Sequence, residues 1–134
     1  MKAFTVYQPY AYAIIAGLKQ YETRPRRTHI RGRVAVHAAR GNPDLVPMAA
    51  ALALPDHIVL HCGAVLGTVE IVDCVPVEEI VHTLSEREKA LGDYSSGRFA
   101  WVLRNPVAFS TPVPAKGKQG WWNWDEERGN PAKG

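Results

Sequence analysis

The stretch Ala64 to Val77, AVLGTVEIVDCVPV, is the longest strand signal in the chain, and a glycine interrupts it at position 67. Its β-branched residues suit a pleated, half-buried surface. A glycine inside such a run marks a bulge or a sharp bend. A long strand bent at that point favours a sheet that curls toward closure over an open doubly wound layer.

Shorter elements surround it. Ala3 to Tyr7 reads as a first strand, and Pro9 opens a helix whose Ala11, Ile14, Ile15 and Leu18 follow the i, i+3, i+4, i+7 rule. Gly17 stops that helix, because it accepts the left-handed C′ conformation. Gln20 to Arg24 is a short strand ended by Pro25, and Gly32 to Ala38 is a further β-rich run. Asn42 to Leu54 has a helical pattern with Asp44 as N-cap and Pro47 in the first turn. Ser85 and Glu88 form a capping box for a short helix through Leu91. Phe99 to Leu103 and Val107 to Val113 read as two strands separated by Asn105–Pro106. The expected fold class is therefore α+β, a small mixed β-barrel of five or six strands with two or three inserted helices. No Gly-rich phosphate loop follows any strand, so neither Rossmann nor P-loop nucleotide binding is indicated.

With 134 residues, 46% of them hydrophobic and 22% charged, the chain buries a core unaided and is not a disordered tail. A single domain over residues 1–125 with a flexible polar tail over 126–134 is expected. No apolar run is long enough to cross a bilayer, and the patterned start with Pro9 does not read as a signal peptide. Cys62 and Cys74 sit in no CxxC, so a cytoplasmic monomer with two free thiols is the simplest expectation.

The formal charge of +3 is unevenly spread. Residues 1–40 hold eight Lys/Arg against one acid, Glu22, while residues 41–134 hold eight basic and twelve acidic residues. The densest stretch, RPRRTHIRGR from Arg24 to Arg33, is either a solvated basic loop or a surface for an anionic partner, nucleic acid being the commonest.

The segment Gly17-Leu18-Lys19-Gln20-Tyr21-Glu22-Thr23-Arg24 concentrates the chemistry. Strand alternation puts Glu22 and Arg24 on one face, and Lys19 at the preceding turn reaches Glu22. Two cations bracketing one carboxylate either hold a polar or anionic ligand or form a plain ion-pair ladder. Arg26, Arg27, Arg31 and Arg33 are candidates to grip phosphates. Lys116, Lys118, Trp121, Trp122 and Trp124 mix base with aromatic, which suits stacking of unpaired bases or closure of the barrel bottom; two of the three tryptophans are expected in the core. His57 and His61 have a His-x3-His spacing that binds zinc on a helix, but DHIVLHC reads as strand and Cys62 and Cys74 form no tight pair, so neither a metal nor a cofactor is expected.

Taken in order, Gln8-Pro9-Tyr10-Ala11, the G-x-K-x-x-E-x-R pattern of GLKQYETR, Arg31-Gly32-Arg33 leading into GRVAVHA, GAVLGTVEIVDCV, FAWVLRNPVAF and PAKGKQGWWNW resemble the ASCH family of PUA-like barrels over most of the chain. The resemblance implies a cleft beside the motif, lined by Lys19, Glu22 and Arg24 with Gln8 and Tyr10 on its rim. It also implies a nucleic-acid partner, RNA rather than DNA, or a nucleoside. Some relatives are hydrolases of RNA or of N4-acetylcytidine. The latter use a Lys, a Thr and a Glu, for which Lys19 and Glu70 fit, whereas Glu22 stands at the Thr position. A carboxylate does not replace a hydroxyl donor at neutral pH. The expected function is nucleic-acid binding. The alternatives are a metal-independent hydrolase using Lys19 with Glu22 or Glu70, and a protein-interaction module with a vestigial cleft.

Overall fold

The computed structural model describes residues 1–41, 49–50, 52–55 and 57–125. Six strands form one mixed sheet: β1 (Lys2–Val6), β2 (Tyr21–Arg24), β3 (Gly32–Ala38), β4 (Ala64–Pro76), β5 (Phe99–Pro114) and β6 (Trp122–Asn123). Their order is β2-β5-β4-β3-β1-β6, with β1 parallel to β3 and every other pair antiparallel. Among the described residues, the short helices α1 (Tyr10–Ile15) and α2 (Glu86–Ala90) lie between strands. The fold is α+β and roughly barrel-like, as expected, but hydrogen bonds do not close the ring. The expected helix over 42–54 and the tail over 126–134 fall largely or wholly outside the described residues.

Gly67 does what the sequence asks of it. The β4–β5 register shifts between Val65 and Gly67, and a Cβ on Gly67 would run into the Val107 carbonyl oxygen. The backbones approach there too closely for any side chain. The two strands expected around Asn105–Pro106 are a single strand, β5. Asn105 takes φ 54°, which asparagine tolerates, and the register slips between Glu70↔Arg104 and Thr68↔Val107. The Asn-Pro pair is thus absorbed as a bulge instead of breaking the strand.

The curl shows in the packing. In a flat sheet β1 and β5 would lie three strands apart, at about 4.8 Å per strand. Yet the rings of Phe4 on β1 and Trp101 on β5 are 5.8 Å apart. These two, with Ile14, Val34, Val36, Val69, Ile71 and Leu103, form the interior core. A second cluster, Ala3, Ala35, Val65, Val113, Trp122 and Trp124, packs on the other face. The curl leaves a seam. β6 pairs only with Lys2 and Ala3, so the end of β1 has no strand partner on that side, and the edge strand β2 comes round to face it.

Candidate functional site

α1 ends as its glycine dictates: Gly17 has φ 80°, and the Leu18 and Lys19 amides donate back to the Ala13 carbonyl at 2.9 and 3.0 Å. This stop turns the chain inward, so Lys19 is only 2% exposed although it follows directly from the helix. Its ammonium lies 3.6 Å from Glu22 Oε1 and makes no closer polar contact among the described residues. Glu22, 8% exposed, spends its other oxygen on Arg24, whose Nε and Nη2 both donate to Oε2 at 2.8 Å. Arg24 Nη2 also donates to the Thr5 carbonyl at 3.0 Å, bridging β2 to β1 across the seam. Its guanidinium lies 5.3 Å from the Trp101 ring centroid and 5.9 Å from that of Phe4. Lys19, Glu22 and Arg24 are therefore gathered as expected, at the gap in the barrel.

A cleft of about 1270 Å³ occupies that gap. Its walls are Thr5 and Val6 of β1 with Tyr7 just beyond, Glu22 to Arg24 of β2, the Leu91–Asp93 turn, and the segment Ala115–Gly120. Tyr10, Lys116 and Lys118 also line it. Arg40 and Arg98, which border it as well, were not singled out in the sequence, and His37, which reads from the sequence as a satisfied half-buried residue, lines it too. Arg98 donates to the Thr23 carbonyl at 3.0 Å and to the Asp93 carbonyl at 3.1 Å. Six cations thus border the cleft against two acids, Glu22 and Asp93. Arg24 and Arg98 are engaged by those acids, whereas Arg40, Lys116 and Lys118 have no acidic partner among the described residues.

His37 forms the floor beneath the Ala115–Gly120 segment. Trp122 Nε1 donates to Thr5 Oγ1 at 3.1 Å, Thr5 Oγ1 lies 3.2 Å from His37 Nδ1, and His37 Nε2 lies 2.7 Å from the Ala115 carbonyl. Because a carbonyl only accepts, Nε2 carries the proton and Nδ1 accepts from the threonine hydroxyl. Burial pushes the His37 pKa down from 6.5, opposed by the bond to Ala115. Any side chain at Gly117 would strike this imidazole and Thr5, so the segment is laid directly on them.

The remaining candidates lie elsewhere. Gln8 is buried away from the cleft, its Nε2 donating to the His61 carbonyl at 2.8 Å and its Oε1 accepting from the Tyr12 amide at 2.9 Å. Arg33 donates to Thr68 Oγ1 at 2.8 Å, to Glu70 Oε1 at 3.1 Å and to the Asn105 carbonyl at 3.1 Å. Glu70 is thereby tied to the sheet and lines no part of the cleft. Arg31 donates to the Thr28 and Ile30 carbonyls, and Arg27 lies 4.7 Å from the Phe99 ring centroid. Arg26 is exposed, and its carbonyl lies 3.4 Å from the Trp101 indole nitrogen, which donates to it. Of the basic stretch from Arg24 to Arg33, only Arg24 reaches the cleft. Trp121 stacks on Trp101 at 5.1 Å and 12°, while Trp122 and Trp124 are buried. The tryptophans close the barrel. The capping box is half formed: Ser85 Oγ accepts from the Glu88 amide at 3.1 Å, but the Glu88 carboxylate turns inward. Among the described residues no group of three or more His, Cys, Asp or Glu is gathered as metal ligands would be. No helix there is long and apolar enough to cross a membrane.

The family model of the ASCH domain matches residues 4–113, from β1 through nearly all of β5. The chain belongs to the ASCH domain family. Activating signal cointegrator 1 of Homo sapiens and that of Mus musculus are each 24% identical over a 134-residue alignment. The alignment covers 92% of this chain but 22% of each relative, so this ASCH chain spans about a fifth of their length. The crystal structure of ASCH from Zymomonas mobilis shares the fold, with a TM-score of 0.60 at 17% identity over 94% of this chain and 88% of that one. A point mutant of the same protein gives 0.58 at 20% identity over 95% and 90%.

Proposed function

We propose that this ASCH domain binds single-stranded nucleic acid, RNA in preference to DNA, by drawing one nucleotide into the barrel seam. The observation that carries this reading is the Lys19 ammonium. It is nearly buried at the cleft wall, and its nearest polar partner, Glu22 Oε1, stands at 3.6 Å, beyond hydrogen-bond range. An ammonium held there with open donor positions favours a ligand acceptor. Beside it, Glu22 Oε1 offers an acceptor, because Arg24 holds the other oxygen. Adjacent donor and acceptor match the edge of an unpaired base. Arg40, Lys116 and Lys118 on the rim suit the phosphates on either side.

The hydrolase alternative draws less support from the arrangement, since Glu70 pairs with Arg33 instead of facing Lys19. The test is fluorescence anisotropy with a short oligouridylate over a salt series. Neutralising three rim phosphates gives a log–log slope of about −2, at roughly −0.7 per phosphate on single strands. Lys19→Ala should lower affinity by about 1.5–3 kcal/mol, as for a hydrogen bond to a charged group. A flat salt response together with an unaffected Lys19→Ala variant removes the cleft from the reading. Turnover of an acylated nucleoside by wild type, lost in Lys19→Ala, would rank the hydrolase first.

A further inference from the structure

Glu88 occupies the position of a helix-capping carboxylate and is not used as one. It is 7% exposed, and its Oε1 accepts from the backbone amide of Gln20, the residue after Lys19, at 2.9 Å. Its Oε2 is buried with no hydrogen-bond partner, and so is the hydroxyl of Tyr94. The two lie side by side, so that the carboxylate acts on the hydroxyl both by its charge and as a side-chain acceptor, without a well-formed hydrogen bond. Tyr94 and Lys19 converge over Gly92, where a Cβ would lie 3.0 Å from the Tyr94 ring and 3.4 Å from Lys19 Nζ. A buried carboxylate with an unpartnered oxygen is thus anchored to the backbone amide next to the residue whose ammonium lines the cleft.

We propose that Glu88 is a proton-linked positioning residue for Lys19: an anionic group entering the cleft against the ammonium is accompanied by uptake of one proton onto Glu88 Oε2. This rests on the proposal that the cleft takes a nucleic-acid strand, and it adds that a phosphate, not only a neutral base edge, comes within reach of the Lys19 ammonium. Burial raises the Glu88 pKa, while the bond from the Gln20 amide and then the charges of Lys19, Arg87 and Arg104 oppose that rise. Tyr21 and Glu22 face the same cluster through Tyr94. A ligand anion at Lys19 offsets one of the three cations, so the carboxylate loses compensation and takes a proton from solvent. The added hydrogen makes Oε2 a donor, and the Tyr94 hydroxyl oxygen is the nearby acceptor. The proton balance is one taken from solvent per ligand bound, with no bond to carbon formed or broken.

Oligouridylate is the probe, because its phosphodiesters keep their charge across the pH series and do not themselves titrate in it. Wild-type affinity should rise as pH falls, by about tenfold per unit of coupling between ligand charge and Glu88. Glu88→Gln keeps the acceptor for Gln20 and imitates the protonated acid. It should bind more tightly than wild type near neutrality and show a shallower pH dependence. His37 lines the same cleft, and its own proton contributes equally to both proteins, so the difference in slope isolates Glu88. Titration calorimetry of wild type in buffers of different ionisation heat supplies a second measurement that does not depend on the variant folding, and proton uptake there supports the linkage. Equal slopes in the two proteins, or no proton uptake by wild type, would overturn the linkage while leaving the cleft reading intact. Absence of binding at every pH would overturn both.

Discussion

Removing the Arg24 side chain tests the seam itself. Arg24→Ala deletes two charge-assisted bonds to Glu22 and one to the Thr5 carbonyl. It leaves a carboxylate that is 8% exposed with a single cation at 3.6 Å. Breaking a buried pair by removing one member costs about 3–5 kcal/mol. Arg24 is itself 28% exposed at the side chain, so solvent screens part of that, and about 2–3 kcal/mol is the expected loss. Urea unfolding followed by tryptophan fluorescence reads it, since Trp101 lies under the guanidinium. Arg24→Lys should recover little, because an ammonium cannot make the two-pronged bond and reach Thr5 as well. Adding Glu22→Gln to Arg24→Ala should return about half the loss by removing the stranded charge. If Arg24→Ala costs less than about 0.5 kcal/mol, or the second substitution adds a further full penalty, then the ion pair is not what spans the gap.

Three other perturbations have defined outcomes. Gly67→Ala should lower the thermal midpoint severely or prevent folding, since its Cβ meets the Val107 carbonyl; a midpoint within a few degrees of wild type would mean that the strands separate freely. Tyr94→Phe should be neutral or slightly stabilising in urea unfolding, because the hydroxyl it removes is buried without a hydrogen bond. His37 has a depressed folded pKa, so its contribution to stability is complete above 6.5 and is lost as pH falls through the folded value. The gap in thermal midpoint between wild type and His37→Asn should therefore narrow on acidification, and a gap that widens would refute the neutral tautomer.

The strands were legible wherever local pattern decides them. The bend at Gly67, the stop at Gly17 and the β-rich run at Gly32 to Ala38 all stand where the sequence puts them. Asn105–Pro106 misled because a turn dipeptide and a bulge use the same residues, and only the partner strand decides between them. The motif Lys19, Glu22, Arg24 was legible because its members are close in sequence. Arg40, His37 and Arg98 were not, because the curl of the sheet brings them to the seam from three other segments. Arg33 was a candidate from the charge pattern and Glu70 from what the family resemblance implies. The register of β3 against β4 places them directly opposite, where they serve each other. Glu88 shows how a helix signature fails when a neighbouring backbone amide competes for the same carboxylate.

An incomplete barrel carries a hazard that a sealed one escapes, because an unpaired strand edge offers a template for another chain to add to. Here both edges are blunted by construction. β2 is four residues long and sends Arg24 across the gap, and β6 is two residues long, between tryptophans that turn into the protein. The cations along the seam repel a second copy of the same surface. The groups that suit the cleft to an anion therefore also guard the chain against self-association. Neutralising them together should bring the molecule closer to edge-to-edge aggregation even where each single change leaves it folded.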